Sequence, residues 1–302
     1  MDLGIVGLGK MGGNMAERLV RAGHRVVGHD RAEASRAALA AVGGEPVASL
    51  ADLVAALPAP RAVWVMVPSG APTRAVLAEL QTLLAAGDTV VDGGNTDWRE
   101  DAARGEQLAQ AGIRYVDAGV SGGVWGLANG YCLMVGGGAD AIEHLRPVFT
   151  SLAPEDGFAH VGPVGAGHYA KMVHNAVEYG MMESLAEGFE MLATAPHGFD
   201  LAQVAEVWRH GSVVRSWLLD LAERALDADP RLDGIRGYVA DSGEGRWAVE
   251  TAIAQDVPAH VFAAALFTRF RSRQDDSFAM KMLAALRNQF GGHAVRTARA
   301  DA

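Results

Sequence analysis

The sequence predicts an α/β domain followed by an all-α domain. Short apolar runs alternate with helical patterns through the first half of the chain, as in a parallel sheet covered by helices. A glycine-rich turn follows the first apolar run and opens a helix. After the glycine-rich segment 162–167, only helical patterns remain. We therefore predict two domains, residues 1–163 and residues 164–302.

The glycine-rich turn has the pattern G-x-G-x-x-G between the apolar run 2–6 and a helix predicted over 11–22. In this setting the first glycine permits a tight turn and the second lets the backbone approach a pyrophosphate. The third lets the helix pack closely on the strand, and N–H groups at the helix start face the phosphates. We therefore predict a Rossmann-type dinucleotide-binding domain. Its expected cofactor contacts are Gly7, Leu8, Gly9, Lys10, Met11 and Gly12.

The end of the second predicted strand, residues 25–28, bears on the choice of cofactor. Asp30 lies where dinucleotide-binding domains carry an acid for the ribose hydroxyls. A carboxylate repels the additional phosphate of NADP, which favours NAD. Arg31 follows directly and offers that phosphate a positive charge. NAD is therefore the predicted cofactor, and NADP stays open.

Glycine-rich loops follow several of the other predicted strands. These strands span 62–67, 89–92, 113–117, 131–136 and 158–161. Open α/β sheets bind their ligands at the carboxyl ends of the strands. We therefore expect a ligand crevice there, with Val67 and Asn95 against the cofactor and Ser121 offering a further hydrogen bond.

The stretch 171–190 predicts one long helix, because it is rich in Ala, Met, Leu and Glu and contains no proline. Lys171, His174, Asn175 and Glu178 are spaced i, i+3, i+4 and i+7 and share one face. The flanking positions are apolar, so this face should be partly buried, where polar groups must be paired or used. The alternative is an ordinary solvated face. Lysine occurs only three times in the chain, which sets Lys171 apart from common surface charge.

The composition argues against several classes of protein. A formal net charge of −10 argues against non-specific nucleic-acid binding. No apolar run reaches membrane-spanning length and no secretion signal is evident, so we expect a cytoplasmic protein without a membrane partner. Cys132, the single cysteine, excludes a disulfide framework. It lies in an apolar strand-like run and is expected to be a small core residue.

The second half reads as helices, with Asp200 predicted to cap the first helix after the long one. The further helices are predicted over 201–210, 213–228, 247–255, 259–272 and 277–290. Three arginines at 269, 271 and 273, and the ending 287–293, are candidates for binding an anion. Alternatively, the arginines at 269, 271 and 273 are simply the solvent-exposed end of a helix.

The segment GAGHYAKMVHNAVEYG at 165–180 closely resembles the signature helix of decarboxylating 6-phosphogluconate dehydrogenases. Further matching segments cover both predicted domains, and the chain length resembles the short bacterial form of that family. These segments are GLGKMGGNM at 7–15, GGNT at 93–96, VSGGVWGL at 120–127, GEGRW at 243–247 and RNQFGGH at 287–293.

The resemblance implies oxidative decarboxylation of 6-phosphogluconate to ribulose 5-phosphate and CO2, with reduction of NAD(P) and no metal. Lys171 matches the general base at the C3 hydroxyl, and Glu178 matches the acid that protonates the enediol. Burial is expected to shift the pKa values of both toward neutrality. His174 and Asn175 match residues that orient the substrate. The other implied substrate contacts are Asn95, Ser121, Gly122, Gly123, Tyr179, Arg269, Arg287 and His293.

Arg287 and His293 match residues that relatives supply from the neighbouring subunit, which implies a homodimer or a tetramer with a shared active site. Two departures matter. Long-form relatives carry a phosphate-binding lysine in the segment that corresponds to 241–247, which here has no lysine. Whether Arg246 replaces it stays open. NADP-using relatives have Asn-Arg-Thr where this chain has the segment 29–32, His-Asp-Arg-Ala.

Two other functions compete with this interpretation. A 3-hydroxyisobutyrate-type β-hydroxyacid dehydrogenase shares the Rossmann domain, the Ser-Gly-Gly loop and a catalytic lysine, but it oxidises an unphosphorylated substrate without releasing CO2. His174, Glu178, Tyr179 and the ending with Arg287 and His293 argue against it. A non-catalytic nucleotide sensor would bind NAD(H) tightly without turnover. The presence of both Lys171 and Glu178 argues against that function.

Overall fold

The computed structural model describes residues 1–296. The chain divides into two compact units, the first spanning residues 1–175 and the second beginning at Ala176. The division falls inside one long helix, α8, which spans Ala166–Thr194. Among residues 1–296, the strands all lie in the first unit, and the second unit consists of helices and loops. The predicted combination of a Rossmann-type α/β part and an all-α part is thereby confirmed.

Eight strands form one sheet in the order β3-β2-β1-β4-β5-β6-β7-β8. They are β1 Asp2–Val6, β2 Arg25–His29, β3 Glu45–Val47, β4 Ala62–Val65, β5 Thr89–Asp92, β6 Arg114–Ser121, β7 Cys132–Gly137 and β8 Phe158–Gly162. All neighbours are parallel except β6 and β7, which are antiparallel. The strand order reverses direction between β1 and β4, which is where open α/β sheets leave a crevice.

Seven helices precede α8. They are α1 Lys10–Arg21, α2 Glu33–Ala41, α3 Leu50–Ala56, α4 Ala71–Leu83, α5 Asp101–Ala109, α6 Gly126–Asn129 and α7 Ala139–Leu152. Helices cover both faces of the sheet, because alternate residues of β4 belong to two separate apolar clusters. Trp64 packs in one cluster, while Val63 and Val65 pack in the other.

Strand β6 differs from the prediction, which ended it at residue 117. It continues to Ser121 because the antiparallel strand β7 pairs with this extension, up to Ser121 opposite Cys132. The expectation that Cys132 is a core residue is wrong, since its side chain is exposed. Side chains alternate along β7, so Leu133 and Val135 take the buried face and Cys132 the other.

Helix α8 begins in direct backbone contact with the sheet, and three glycines permit this approach. A Cβ on Gly119 of β6 would lie 2.5 Å from the Cβ of Lys171. A Cβ on Gly136 of β7 would lie 2.6 Å from the Pro163 carbonyl oxygen. A Cβ on Gly167 would lie 2.6 Å from backbone oxygens of both β6 and β7. Close packing therefore fixes where the first turn of α8 lies.

The second unit continues with five helices after α8. They are α9 Leu201–Arg209, α10 Trp217–Ala228, α11 Glu244–Ala254, α12 His260–Arg271 and α13 Phe278–Gly291. The predicted cap is confirmed, since Asp200 accepts a hydrogen bond from the Gln203 N–H at 3.0 Å. Ala205, Leu219 and Leu226 form a small core. Among the helices of residues 1–296, none combines the length and apolar content needed to cross a membrane.

A Gly167→Ala substitution tests the docking of α8. Helix propensity alone favours alanine, but the added methyl group would press on two carbonyl oxygens. We expect the free energy of unfolding to fall by about 1–3 kcal/mol, measured by urea denaturation. Gly188→Ala on the same helix is the control, because a Cβ there meets nothing within 4 Å. Gly188→Ala should instead raise the free energy of unfolding by about 0.5–1 kcal/mol. Equal effects of the two substitutions would contradict close packing at Gly167.

Candidate active site

A cavity of about 710 Å³ opens at the carboxyl ends of β1, β2, β3 and β4. Five of the predicted cofactor residues line it, namely Gly7, Gly9, Asp30, Arg31 and Val67. The lining also includes His29, Arg36, Ser49 and Glu79, which the sequence pattern did not indicate. The size of the cavity and its place beside the reversal of strand order suit a dinucleotide.

The three glycines of the motif take the positions that a dinucleotide requires. Gly7 has φ +93°, and a Cβ there would lie 2.4 Å from the Met66 carbonyl oxygen. A Cβ on Gly12 would lie 1.9 Å from the Gly7 oxygen, so α1 packs directly on the turn. A Cβ on Gly9 would meet nothing within 4 Å, which leaves space for a ligand.

The start of α1 is suited to an anion. Within the described part of the chain, no side chain caps this helix at Gly9, and its first turn, with Lys10 and Met11, contains no acid. The first N–H groups of a helix attract a phosphate when no capping group satisfies them. The residues present therefore fit the pyrophosphate of a bound nicotinamide dinucleotide.

Asp30 is held rigidly at the edge of the cavity. One carboxylate oxygen accepts a hydrogen bond from the Leu8 N–H and the other from the Ala32 N–H, both at 2.8 Å. Arg36 donates to the backbone oxygens of Asp30 and Arg31, at 2.6 and 3.2 Å. An acid and two arginines thus meet where the adenosine ribose is expected.

A second group of predicted residues meets at the end of β6. His174 Nδ1 lies 3.0 Å from the Asn175 side-chain oxygen, and Nε2 lies 3.2 Å from the Ser121 hydroxyl. The amide oxygen only accepts, so Nδ1 carries the proton and, in the neutral ring, Nε2 accepts from Ser121. Lys171 and Asn175 are 7% and 9% exposed, while His174 is half-buried. The polar face of α8 is therefore buried rather than solvated, at least over these residues.

Two short loops lie next to Ser121 and Asn95, one after β6 and one after β5. Gly122 and Gly123 both have positive φ and turn the chain into a 3-10 turn, Gly123–Trp125. Asn14 of α1 donates a hydrogen bond to the Val124 carbonyl oxygen, which ties this turn to the dinucleotide helix. Asn95 is exposed in the loop that follows β5.

In the second unit, Tyr179 and Arg269 are brought together. The guanidinium carbon of Arg269 lies 3.5 Å from the centre of the Tyr179 ring, and Arg269 donates to the Ala240 carbonyl oxygen. Glu178, the neighbour of Tyr179 on α8, is half-buried. The guanidinium group of an arginine stacked on a tyrosine can bind an anionic group.

Arg246, whose role at the substrate phosphate the sequence left open, is paired with an acid in the structure. It forms two hydrogen bonds to Asp241, at 2.8 and 3.1 Å, and Arg273 forms a third at 2.6 Å. The hydrogen bond from Arg246, followed by that from Arg273, lowers the pKa of Asp241 to about 2.

Arg287 lies in helix α13, and His293 follows the end of that helix. Both are exposed, and His293 is held locally, since its carbonyl oxygen accepts a hydrogen bond from Asn288 at 2.9 Å. Helix α13, which carries Arg287, has no buried residue among those described.

Comparison with known proteins decides the family. Residues 2–162 match the family model of the NAD binding domain of 6-phosphogluconate dehydrogenase, and residues 167–301 match that of its C-terminal domain. The chain belongs to the 6-phosphogluconate dehydrogenase family. The resemblance found in the sequence, including a nicotinamide-dinucleotide-binding domain, is confirmed.

Two relatives align with this family member from end to end. YqeC of Bacillus subtilis is 46% identical over 294 residues, which cover 97% of this chain and 99% of the relative. The NAD(+)-dependent, decarboxylating 6-phosphogluconate dehydrogenase of Haloferax volcanii is 43% identical, with 98% of each chain covered.

Solved structures share the fold. The 6-phosphogluconate dehydrogenase of Plasmodium falciparum matches with a TM-score of 0.83 at 22% identity, covering 100% of this chain and 67% of that one. A 3-hydroxyisobutyrate dehydrogenase of Mycobacterium tuberculosis matches with a TM-score of 0.72 at 25% identity, covering 95% and 99%. The two enzyme types therefore have related folds, and the fold does not choose between them.

In this member of the 6-phosphogluconate dehydrogenase family, a group of buried carboxylates near the start of α8 was missed by the sequence analysis: Asp92, Asp101 and Asp117. Each has its own positive counterpart. Asp92 pairs with Arg104 at 3.0 Å, and Asp101 pairs with His168 at 2.8 Å. Asp117 accepts from the Gly165 and His168 N–H groups, at 2.7 and 2.9 Å, at the positive end of α8.

The ligand atoms of Asp92, Asp101 and His168 all lie within 4.8 Å of one another, a spacing that would suit a metal ion. The hydrogen-bond partners indicate an internal ion-pair network instead. Arg104 already supplies a cation to Asp92, and Tyr115 donates a further hydrogen bond to Asp101 at 2.8 Å.

The Asp101–His168 pair predicts how stability depends on pH. Burial disfavours the imidazolium, but the hydrogen bond to Asp101 and the charges of Asp101, Asp92 and Asp117 outweigh it and raise the pKa of His168 from 6.5 to about 9. Because the folded-state pKa is the higher one, the stabilisation is complete below about pH 6.5 and is lost as pH rises through about 9.

We therefore expect the free energy of unfolding to decrease by about 2 kcal/mol between pH 7 and pH 9. Urea denaturation at several pH values measures it. The His168→Gln variant should lose most of this decrease, since it has no imidazole to titrate. An unchanged slope in that variant would show that other groups cause the dependence.

Proposed function

We propose that this chain catalyses the oxidative decarboxylation of 6-phosphogluconate to ribulose 5-phosphate and CO2, with NAD as the hydride acceptor. The observation that carries this function is the buried group at the end of β6, where Lys171 and Asn175 lie on α8 with His174 bonded to Ser121. The end-to-end similarity to an NAD(+)-dependent, decarboxylating enzyme supports it.

In the proposed mechanism, the residues lining the cavity, among them Gly7, Gly9 and Asp30, would hold NAD, which when bound would supply the acceptor for a hydride from C3 of the substrate. The neutral amine of Lys171 takes the proton of the C3 hydroxyl, so that C3 becomes a ketone. Lysine, now protonated, donates a hydrogen bond to that ketone, which receives the electron pair of the C1–C2 bond as CO2 leaves. Glu178 then gives a proton to C2 of the resulting enediolate, which restores the ketone at C3 and completes ribulose 5-phosphate.

Ser121, Gly122, Gly123, His174 and Asn175 orient the substrate in this proposal. Their roles follow from hydrogen-bonding capacity, since the Ser121 hydroxyl at the end of β6 is bonded to the His174 ring and the ring to the Asn175 amide, on the helix that carries Lys171. Asn95, in the loop after β5, serves both the substrate and the nicotinamide side of the cofactor. Pre-oriented polar groups of this kind place the reacting atoms without a further entropy loss.

NAD is favoured over NADP in this proposal because of Asp30. Two backbone N–H groups fix its carboxylate, so it stays at the ribose position and opposes a 2′-phosphate. Arg31 and Arg36 supply positive charge nearby, but Arg36 already donates to two backbone oxygens.

The phosphate of the substrate is assigned to Tyr179 and Arg269, joined by Arg287 and His293 from a second copy of the chain. Support comes from α13, where large apolar side chains are exposed together with Arg287; Phe278, Leu283 and Phe290 are 74%, 53% and 79% exposed. An exposed apolar helix of this kind is typical of a subunit interface. A homodimer or a tetramer would then share its active sites between subunits.

We further assign cofactor binding to residues 1–163, and substrate binding and dimerisation to residues 164–302, in a cytoplasmic enzyme. The two family matches, 2–162 and 167–301, support this division of roles.

A steady-state assay with 6-phosphogluconate, run separately with NAD and NADP, tests the reaction. Reduced nicotinamide and CO2 should appear in equal amounts, with the higher kcat/KM for NAD. Lys171→Met should abolish hydride transfer, and Glu178→Gln should lower turnover by roughly 10²–10⁴-fold. Glu187→Gln, an exposed position on the same helix, is the matched control and should change nothing. Reduced nicotinamide without CO2 would instead indicate a 3-hydroxyisobutyrate-type dehydrogenase.

Subunit complementation tests the shared site. Lys171→Met and Arg287→Ala homodimers should each be nearly inactive at low substrate concentration. Co-expressed, they form mixed dimers in which one site has both residues intact, so about a quarter of the wild-type activity should return. If Lys171 and Arg287 acted within one subunit, no mixed dimer would contain an intact site and activity would stay absent.

A further inference from the structure

The first turn of α8 is held from beneath by two buried carboxylates. Asp117 of β6 accepts from the N–H groups of Gly165 and His168, and Asp101 of α5 binds the His168 ring at 2.8 Å. His168 and Asp101 are 1% and 0% exposed. Lys171 follows His168 by three residues, so the two side chains leave nearly the same side of the helix.

The same network extends to the loop that carries Asn95. Asp92, the last residue of β5, accepts from the Gly94 N–H at 3.0 Å and from the Thr96 hydroxyl at 2.9 Å. Tyr115 of β6 joins the two parts, since its hydroxyl donates to Asp101 at 2.8 Å and lies 3.4 Å from Asp92. Hydrogen bonds thus connect the helix of Lys171 with the loop of Asn95, inside a single unit.

We propose that His168, through its ion pair with Asp101, is a positioning residue that sets where the Lys171 amine lies. Neither His168 nor Asp101 lines the dinucleotide cavity, and both are buried beneath the start of α8, so the ion pair acts through the helix. A small rotation of the first turn of α8 would swing the long lysine side chain, whose Cβ already lies against Gly119. The role assigned to His168 rests on the proposed function of Lys171 as the base.

Charge balance gives the pair a second effect on Lys171. The charged and titratable groups that face His168 are Asp92 on β5, Asp101 and Arg104 on α5, and Tyr115 and Asp117 on β6. With His168 charged, each buried carboxylate has one counterpart. Without that charge, Asp101 would remain as an unbalanced anion one helical turn from the lysine, and it would favour the protonated, inactive amine.

Lysine NMR provides a test that does not depend on turnover. The chain has only three lysines, so protein with 13C-labelled lysine ε-carbons gives three signals, and Lys171→Met assigns the one of interest. His168→Gln keeps a donor for Asp101 but removes the charge. We expect the Lys171 signal to shift and its titration midpoint to rise, while Lys10 and Lys281 stay unchanged.

Kinetics of the same variants separates positioning from general stability. His168→Gln and Asp101→Asn should each lower kcat for 6-phosphogluconate by about 10–100-fold, with KM for NAD unchanged. The double variant should be no worse than the single ones, because the residues act as a pair. His24→Gln is the control, since it removes another half-buried histidine, bound to Ser151 at 2.8 Å, in the same unit.

Tyr115→Phe keeps the test decisive if the stronger variants do not fold. This substitution removes only the hydroxyl that donates to Asp101. It should shift the Lys171 signal less than His168→Gln does. An unchanged Lys171 signal and midpoint in every folded variant would overturn the positioning role. A shifted signal in a protein whose wild type lacks turnover would instead keep the positioning role and refute the proposed function.

Discussion

The docking of the first turn of α8 on strands β6 and β7 is the constraint on which the site depends. Glycines at 119, 136 and 167 remove the side chains that would separate the helix from the sheet. Asp117 then satisfies two N–H groups of the helix start from within the strand. This contact therefore determines the direction in which Lys171, His174 and Asn175, all of the first unit, leave the sheet.

Burying three carboxylates beneath this contact is energetically demanding. An ion taken out of water is stabilised only when a counterion and hydrogen bonds replace its hydration. Arg104, His168 and the start of α8 supply these to Asp92, Asp101 and Asp117 respectively. Apolar residues could fill the same volume, but they would not define hydrogen-bond partners. The network therefore suits a role in specifying one arrangement of helix and loop.

Both candidate sites lie at the carboxyl edge of the sheet, yet they are built in different ways. The dinucleotide cavity uses backbone, with Gly7 and Gly9 and the open start of α1, and it needs one well-held acid, Asp30. The group around Lys171 uses side chains that one helix presents to the end of β6. The first kind of site leaves a local sequence motif, whereas the second depends on how a helix is placed.

The sequence alone determined the features that are local along the chain. The G-x-G-x-x-G turn, the acid at Asp30, the spacing of Lys171, His174 and Asn175 on one helix face, and the Asp200 cap all depend on neighbouring residues. The spacing of apolar residues and the residue types found at turns are enough to predict such features. The alternation of strands and helices likewise predicted the fold class of each half.

Only the tertiary structure decided which distant side chains meet. Asp117 lies 48 residues before Gly165, and Asp101 lies 67 residues before His168, so no local pattern marks them as partners. The extension of β6 and the exposure of Cys132 were hidden for the same reason, since both follow from antiparallel pairing with β7. Hydrogen bonds and ion pairs depend on the distance between two groups in space. The number of residues between them in the sequence does not reveal that distance, because the folded sheet sets it.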